Sequence, residues 1–407
     1  MNEKSKETIT KNVDSIANDL IEISKKLKNN PEIGFKEYKA FKWLTEFLEQ
    51  KGFNVEKGIA DLETSFRAHY VCGNGGPKIA FLCEYDALPD IGHGCGHNLI
   101  APSSIGAAVA LSTVENLSAE LLVIGCPGEE NGGGKVILTE KGVFDEVDVA
   151  MMVHPATVNL TYSTSLALDA IEFIFKGQTS HASSMPEKGI NALDSAIFLF
   201  NGLNALRQHL KDDVRIHGIV SEGGKAPNVV PDKAVAKFYF RAKERSYLDR
   251  TVEKAYNVAR GAALMSGAEV SWRKFELSND NLKPNKKLAQ VFEENLKKIG
   301  INDILPPQDG GGSTDMGNVS QVVPAIHPYI AIGEEGEFIS HSREFADATV
   351  APRGQQELIN AAKSMALTAF DVASDKELLE EIKKELRRDK IASRIINSRK
   401  GKDISRK

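Results

Sequence analysis

The segment that decides the fold spans residues 78–97 and reads KIAFLCEYDALPDIGHGCGH. It begins with a continuous apolar run of strand length, which is typical of a strand buried on both faces of a sheet. It continues into a polar loop that contains two histidines and a cysteine. Because ligands collect at the carboxyl ends of strands in open α/β sheets, this segment predicts a buried strand that leads into a functional loop.

Two further apolar runs, at residues 121–126 and 147–153, have the same strand-like texture. Helix-compatible residues, such as those at 103–111, lie between the runs. Alternating strands and helices of this kind indicate an α/β domain with a mainly parallel sheet.

The pattern changes from residue 170, where Ile171, Phe173 and Phe175 occupy alternate positions, as in a half-exposed sheet. The order β-α-β-β-α-β follows up to residue 274 and predicts a ferredoxin-like α+β layer. We therefore predict the following order: first part of the catalytic domain at 1–169, inserted domain at 170–278, second part of the catalytic domain at 279–374, and charged C-terminal helix with a basic tail at 375–407.

The composition argues against a nucleic-acid-binding or membrane-binding protein. The 407 residues are 42% hydrophobic and carry a net charge of -5, so there is no global basic field for nucleic acid or an anionic membrane. The N-terminus lacks the apolar core of a signal peptide, and no run of about 18 apolar residues occurs. We expect a cytoplasmic enzyme of small-molecule metabolism, with neither nucleic acid nor membrane as a partner.

Each of the three predicted strands is followed by polar residues: Glu84 to Asp86 with the His-x-Cys-x-His loop at 93–97, then Glu129-Glu130, then His154. Imidazole, thiolate and carboxylate groups that converge on one crevice suit zinc or a neighbouring first-row metal. Taken singly, His154 could be a satisfied buried histidine, the glutamates a solvated turn, and the loop a structural single-metal site. The combination favours a catalytic metal centre.

These motifs resemble the M20 metallopeptidases, in the branch of amidohydrolases that has a cysteine in the metal site. The resemblance covers about residues 14–372, and residues 310–320 are most similar to p-aminobenzoyl-glutamate hydrolases and dipeptidases of that branch. The motifs that carry it are Asp86-Ala-Leu-Pro, His93-Gly-Cys-Gly-His-Asn98, Gly128-Glu-Glu-Asn131, His154-Pro155, Ser180-His-Ala-Ser183 and His341-Ser342.

The resemblance implies two divalent metal ions per chain, zinc or manganese, and a homodimer built through the inserted domain. It also implies Glu129 as the general base and Asp86 as a residue that orients a ligand without binding metal. The role of His93 stays open. The implied metal ligands are Cys95, His97, Glu130, His154 and His341.

Three residues of the inserted domain match substrate-binding positions of the family. His181 matches a histidine that reaches the oxyanion across the dimer, while Asn228 and Arg241 match positions that hold the substrate carboxylate, a task suited to the forked donors of arginine. From the residues alone, His181 is more simply an ordinary histidine at a strand end, and Arg241 could equally be a surface residue that pairs with Glu244. We expect Arg241 and Asn228 to act together on the carboxylate while His181 approaches from the partner.

The predicted function is metal-dependent hydrolysis of an amide bond in a small substrate with a free carboxylate, such as an N-acyl amino acid, a p-aminobenzoyl-glutamate-like compound or a dipeptide. A metal-stabilised binding or assembly protein is the alternative from another class, and it would have no need of a spare carboxylate such as Glu129. A cysteine hydrolase using Cys95 with His93 or His97 is a third reading, which leaves Glu130, His154 and His341 unexplained.

Overall fold

The computed structural model describes residues 2–404. The helices are α1 (Asn2–Ser15), α2 (Ala17–Asn29), α3 (Tyr38–Gln50), α4 (His97–Ser112), α5 (Gly134–Glu140), α6 (Ala192–Arg207), α7 (Arg245–Ser266), α8 (Lys286–Lys298), α9 (Met316–Val322), α10 (Arg343–Ala348), α11 (Pro352–Ser374) and α12 (Lys376–Ile404). The strands are β1 (Asn54–Lys57), β2 (Phe66–Cys72), β3 (Lys78–Glu84), β4 (Ala119–Cys126), β5 (Val149–Met151), β6 (His154–Ala156), β7 (Asn159–Leu160), β8 (Ser163–Thr164), β9 (Ala167–Lys176), β10 (Arg215–Glu222), β11 (Lys233–Ala242), β12 (Glu269–Lys274), β13 (Ile304–Leu305), β14 (Gln308–Asp309), β15 (Ala325–Ile326) and β16 (Tyr329–Ala331).

The chain divides into two compact units. The main unit comprises the residues up to Thr164, Leu282–Gly310 and the residues from Asp315 onwards. The inserted unit comprises Ser165–Asn281 and the short piece Gly311–Thr314, which the sequence had led us to assign to the second part of the catalytic domain. The predicted start and end of the inserted domain, residues 170 and 278, both lie inside this unit.

The main unit is built on a sheet of the order β1-β2-β4-β3-β5-β15. Strands β4, β3, β5 and β15 run parallel, whereas β1 and β2 add an antiparallel edge, so the prediction of a mainly parallel sheet is confirmed. Helix α4 lies on this sheet and is buried from His97 to Leu111. Glu84 at the end of β3 pairs with Cys126 at the end of β4, so the loops that follow these two strands start side by side.

Residues 325–332 form an apolar run that the sequence pattern alone would assign to one strand, but the structure divides it into β15 and β16. Proline has no amide hydrogen to continue a ladder, and Pro328 lies at the break. Strand β15 extends the main sheet, whereas β16 joins β6 in a separate small sheet, where Tyr329 pairs with His154. The break therefore sets His327 and Tyr329 close to the candidate ligand His154.

The inserted unit has the predicted β-α-β-β-α-β order, and its antiparallel sheet has the order β10-β11-β9-β12. Strand β9 is buried at nearly every position, Asp169 and Glu172 included, so the half-exposed sheet expected from its alternation is wrong for this strand. Phe173 and Phe175 lie in the apolar core of this unit together with residues of α6 and α7. This arrangement is the ferredoxin-like layer expected from the sequence.

The predicted charged C-terminal helix corresponds to α12, which begins at Lys376 and is described as far as Ile404. Residues 405–407, at the end of the predicted basic tail, lie outside the described residues. None of the described helices is both long enough and apolar enough to span a bilayer.

Candidate active site

The loop between β3 and α4 turns sharply enough to bring several side chains to one point. Gly96 has a φ of +83°, and a Cβ at this position would lie 2.3 Å from Cγ of Pro155. Glycine is the residue that adopts this conformation without steric cost and leaves room for the proline. Helix α4 starts at the next residue, His97, so Cys95 and His97 flank the turn.

Five candidate ligands meet in two groups that share one thiol. Ligand atoms of Cys95, His97 and His154 lie within 4.8 Å of one another, and so do those of Cys95, Glu130 and His341. Sγ of Cys95 lies 3.4 Å from Nε2 of His154. The structure thus brings together all five residues that the sequence resemblance implied, from four separate parts of the main unit.

Asp86 connects two of these ligands. Its Oδ1 is 2.9 Å from Nδ1 of His97, and its Oδ2 accepts a hydrogen bond of 2.9 Å from the backbone N-H of Glu130. Although burial raises the pKa of Asp86, the adjacent His97 holds it below the ordinary value. A carboxylate on one ring nitrogen fixes the orientation of a histidine and leaves the other nitrogen for a metal, which matches the role expected for Asp86.

His154 is held in a similar way by the backbone. Its Nδ1 lies 2.7 Å from the carbonyl oxygen of Pro155, so the ring donates there and Nε2 carries the lone pair. Burial lowers the pKa of His154 to about 4, which keeps the imidazole neutral. A neutral ring with a free Nε2 is the form that binds a metal.

The residues fit a pair of divalent ions. Nε2 of His97 and Oε1 of Glu130 are buried and have no hydrogen-bond partner among the described residues, which is a costly state for polar atoms unless a ligand satisfies them. The soft thiolate, neutral imidazoles and carboxylate of the two groups are the donors that zinc and neighbouring metals take.

Cys95 is poorly placed to be a nucleophile. Burial raises the pKa of its thiol to about 12, so without a bound cation it stays protonated. The buried ring of His93, whose pKa burial lowers to about 3, could not serve as an efficient base near neutral pH. These features disfavour the cysteine-hydrolase reading, and His93 acquires no chemical role.

Glu129 lies between the ligands and a second polar cluster. Its carboxylate lies within 4.8 Å of ligand atoms of His97 and Glu130, and also within 4.8 Å of carboxylate oxygens of Glu84 and Asp315. Burial and then the charges of Glu84 and Asp315 raise the pKa of Glu129 well above its ordinary value.

The second cluster already contains a cation, the ammonium of Lys135. This fully buried group lies 2.6 Å from Oε1 of Glu84 and forms an ion pair with Asp315, and the backbone N-H of Lys135 donates to Oδ2 of Asp315 at 2.9 Å. Although burial lowers it, the two carboxylates raise the pKa of Lys135, so the side chain stays charged. Glu84, Glu129 and Asp315 are therefore not a third metal site.

Sequence reasoning missed several residues near the ligands. Lys135 and Asp315 are 180 positions apart, and no local pattern connects them. The rings of His327 and Tyr329 lie 5.3 Å and 5.5 Å from that of His154. A signal was present in the sequence for His327, because His327-Pro328 repeats the pattern of His154-Pro155.

In the inserted unit, His181 and Asn228 are neighbours. His181 forms a β-bridge with Val229, and the carbonyl of Asn228 accepts from the backbone N-H of Ala182 at 3.0 Å. The exposed ring of His181 accepts from the backbone N-H of Ser183 at 3.3 Å through Nδ1, so a neutral ring carries its proton on Nε2. Nε2 is then a donor, as an oxyanion would require.

Arg241 lies at the other end of the same sheet. Strand β11 starts at Lys233, next to the loop that holds Asn228, and Arg241 is eight residues further along. At ~3.3 Å per residue, about 26 Å separates the two ends. Most of β11 thus lies between Arg241 and Asn228 of one chain, which argues against a joint grip on one carboxylate by that chain, and the roles of the two residues stay predictions.

The surroundings of Arg241 differ from the surface pair that the sequence left open. Its guanidinium donates to Oγ of Ser313 at 3.0 Å and lies over the ring of Tyr239, 5.7 Å from the centroid. The side chain is half-buried and its hydrogen-bond partner is neutral, while the charge of Glu276, which accepts from the hydroxyl of Tyr239, acts on it without a hydrogen bond to it among the described residues. Its charge is thus available to an anionic ligand.

Comparisons with known proteins agree with the geometry. Residues 168–263 match the peptidase dimerisation domain of the M20 family. The chain is 37% identical to a Xaa-Arg dipeptidase of Mus musculus in an alignment that covers 92% of this chain and 90% of the mouse protein. It is 33% identical to a p-aminobenzoyl-glutamate hydrolase of Escherichia coli (strain K12), over 69% of this chain and 62% of that protein.

Solved structures share the fold. A protein of Bacillus subtilis, described as a dinuclear metal-binding peptidase of the M20 family, superimposes with a TM-score of 0.68 at 20% identity, over 88% of this chain and 99% of that chain. A putative aminohydrolase of methicillin-resistant Staphylococcus aureus gives a TM-score of 0.76 at 18% identity, over 91% of this chain and 99% of that chain. The chain therefore belongs to the M20 peptidase family and is a hydrolase that cleaves amide bonds in small substrates.

Proposed function

We propose that the protein is a two-metal dipeptidase or acyl-amino-acid hydrolase in which Cys95 is shared between two zinc or manganese ions. The observation that carries the proposal is the pair of ligand groups that overlap at Cys95. One ion would be held by Cys95, His97 and His154, and the other by Cys95, Glu130 and His341. Bound divalent ions at such a site supply Lewis acidity and lower the pKa of water.

Glu129 is the general base of the proposed reaction. Hydrolysis adds one water across the amide C-N bond, so one proton must leave the water and one must reach the leaving nitrogen. The carboxylate of Glu129 accepts the first proton and delivers it to the nitrogen. Its position next to Glu130, and outside the two groups that contain Cys95, supports this role.

His181 and Asn228 act from the partner subunit of a homodimer. The Nε2-H of His181 donates to the oxyanion that develops on the amide carbonyl. Because Asn228 is next to His181, both residues reach the substrate from the same side. Arg241 binds the substrate carboxylate from the chain that holds the metals, so each active site is shared between two subunits.

The names of the relatives and the position of Arg241 together support a proposal for the substrate class. Curated relatives of Mus musculus and Homo sapiens are named Xaa-Arg dipeptidases, and both are 37% identical to this chain. Dipeptides that end in arginine are therefore the first substrates to test, and p-aminobenzoyl-glutamate is the second. Both carry the free carboxylate that the guanidinium of Arg241 binds.

Metal analysis and a substrate panel test the proposal. Protein reconstituted with zinc or manganese should bind two ions per chain, and chelation should abolish hydrolysis reversibly. A metal content that never exceeds one ion per chain after reconstitution contradicts the two-metal site. A reconstituted protein that cleaves no member of the panel would favour the alternative of a metal-stabilised binding protein.

A further inference from the structure

We propose that residues 34–37, which we call the clasp, position the loop of residues 128–132, which we call the glutamate loop, so that Glu129 and Glu130 have fixed places in the site. The inference rests on the proposed function for the roles of these two glutamates. The clasp lies just before α3 and far from the glutamate loop in sequence.

The carboxylate of Glu37 makes the first connection. It is fully buried, and its Oε1 accepts hydrogen bonds from the backbone N-H of Gly128 at 2.8 Å and from that of Phe35 at 2.9 Å. Its Oε2 accepts from Oγ1 of Thr64 at 2.8 Å. One oxygen atom thus joins the backbone of the clasp to the residue that precedes Glu129.

The ring of Phe35 makes the second connection. A Cβ at Gly132 would lie 1.9 Å from this ring, and a Cβ at Gly128 would lie 2.9 Å from it. The ring therefore fills the space that side chains at both ends of the glutamate loop would need. Phe35 itself has a φ of +62°, which is uncommon for a bulky residue and persists only where the surroundings enforce it.

The glutamate loop is consequently held on both sides of Glu129. Glu37 accepts from the N-H of Gly128, and Asp86 accepts from the N-H of Glu130. Both acceptors are buried carboxylates from outside the loop. The backbone amides on either side of Glu129, those of Gly128 and Glu130, are therefore both fixed by hydrogen bonds. This holds the carboxylate of Glu129 near the reacting atoms, where a small displacement would greatly lower the rate of hydrolysis.

A size exchange between Gly132 and Phe35 tests the clasp. In the zinc-loaded protein, Gly132→Ala should displace the ring, speed amide hydrogen exchange at residues 128–132, and lower kcat on the order of a hundredfold while KM changes little. Combining it with Phe35→Ala makes room for the new methyl group, so the double variant should regain about tenfold in kcat over Gly132→Ala alone.

Substitutions of Glu37 test the hydrogen bonds. Glu37→Ala should speed exchange at the amide of Gly128 and weaken zinc binding, whereas Glu37→Gln keeps an acceptor and should recover most of both properties. Glu32→Ala is the matched control. Glu32 lies in the same turn and accepts from the backbone N-H of Lys39 and Ala40, but it makes no hydrogen bond to the glutamate loop among the described residues.

The outcomes separate this inference from the proposed function. The clasp is refuted if the double variant is no better than Gly132→Ala, or if a folded Glu37→Ala protein keeps the wild-type exchange and zinc affinity. Should Glu37→Ala fail to fold, the Gly132 and Phe35 pair decides the question alone. If the wild-type protein hydrolyses nothing, the proposed function fails, while hydrogen exchange and zinc affinity still test the clasp.

Discussion

The main unit and the inserted unit carry their functional side chains in different ways. In the main unit, ligand residues from separate loops meet within 4.8 Å of one another, and buried carboxylates such as Asp86 and Glu84 hold their neighbours in place. In the inserted unit, the candidate residues lie at opposite ends of one sheet, and His181 and Asn228 are exposed.

This difference suggests that the two units contribute different steps of the proposed reaction. The candidate metal ligands and Glu129 reach their arrangement within one folded chain, so the proposed metal binding should need only the main unit. His181, Asn228 and Arg241 cannot converge on one substrate within a single inserted unit, because strand β11 separates them. Stabilisation of the transition state and binding of the substrate should therefore require a second subunit. Single substitutions can show which residues act within one chain and which act across the dimer.

The largest effect is expected for Glu129→Gln. The amide is nearly isosteric but cannot accept a proton, so kcat should fall about a hundred- to ten-thousandfold while two metal ions per chain are retained. Glu130→Gln is the matched control from the next position and should lose metal affinity as well. Near-normal turnover of Glu129→Gln in steady-state assays would remove this residue from the mechanism.

The next effect concerns His181. His181→Ala should lower kcat by about a hundred- to a thousandfold, the usual range for loss of one oxyanion donor. Neither this variant nor Glu129→Gln should be active alone, but a mixed dimer contains one site with both residues intact. At equal mixing, activity should recover to roughly one quarter of wild type by statistical pairing of symmetric dimers.

Subunit exchange must be shown independently in that experiment, for example by mass spectrometry of differently tagged chains. If exchange is complete and activity does not return, His181 acts within its own chain or not at all. The pair Asn228→Ala and Arg241→Ala extends the same test. Because the two residues serve a site from different chains, their mixture should also recover, which a joint grip by both residues of one chain does not predict.

A smaller effect is expected for Arg241→Ala alone. Loss of a charge-assisted hydrogen bond should raise KM for substrates with a free carboxylate about ten- to a hundredfold and change kcat much less. Amidated analogues of the same substrates should show the raised KM with wild-type enzyme and little further change with the variant. Equal loss on charged and amidated substrates would mean that Arg241 does not bind the carboxylate.

Much of the fold could be predicted because its signals are local. The apolar run of β3, the glycines around Cys95 and the alternation in β9 are each read from a few consecutive residues. The ion pairs of Lys135 with Glu84 and Asp315 could not be predicted, since they join elements far apart in the chain and a lysine beside a glycine run carries no mark of burial.

Two spatial consequences could have been read from the sequence. Residues 234–241 have the pattern of a strand long enough to separate Asn228 from Arg241, so strand length alone argues against a joint grip. Pro328 likewise marked the division between β15 and β16. In both cases the local pattern indicates a strand correctly. The length of β11 and the break at Pro328 were the consequences that the predictions left out.

The last prediction concerns stability rather than turnover and compares two buried carboxylates, one in each unit. In the main unit, burial and then the charge of Asp86 raise the pKa of Glu37 to about 7, from an ordinary 4.5. In the inserted unit, burial also raises the pKa of Asp169, but the hydrogen bond and charge of Arg245 outweigh it and hold the pKa below its ordinary value. The two groups should therefore have opposite effects on the free energy of unfolding as pH changes.

For Glu37, the unfolded chain loses its proton near pH 4.5 and the folded chain near pH 7. Between these values the folded state holds more protons, so the free energy of unfolding should fall as pH rises, by roughly 3 kcal/mol over the window. Glu37→Gln removes this proton, so its stability relative to wild type should increase from pH 5 to pH 8. Asp169→Asn is the control: the stabilisation by Asp169 is lost only at acidic pH, below its ordinary pKa of 3.8, so that variant should show no such trend.

Urea unfolding of metal-free protein at pH 5, 6, 7 and 8 measures both effects. The chain has two tryptophans, Trp43 in α3 of the main unit and Trp272 in β12 of the inserted unit, so removal of one by substitution with phenylalanine lets the other report its own unit. Parallel pH profiles for wild type and Glu37→Gln, followed through Trp43, would mean that Glu37 ionises normally despite its burial. A profile that rises for Glu37→Gln and stays flat for Asp169→Asn, followed through Trp272, is expected, because only the first carboxylate is buried without a cation.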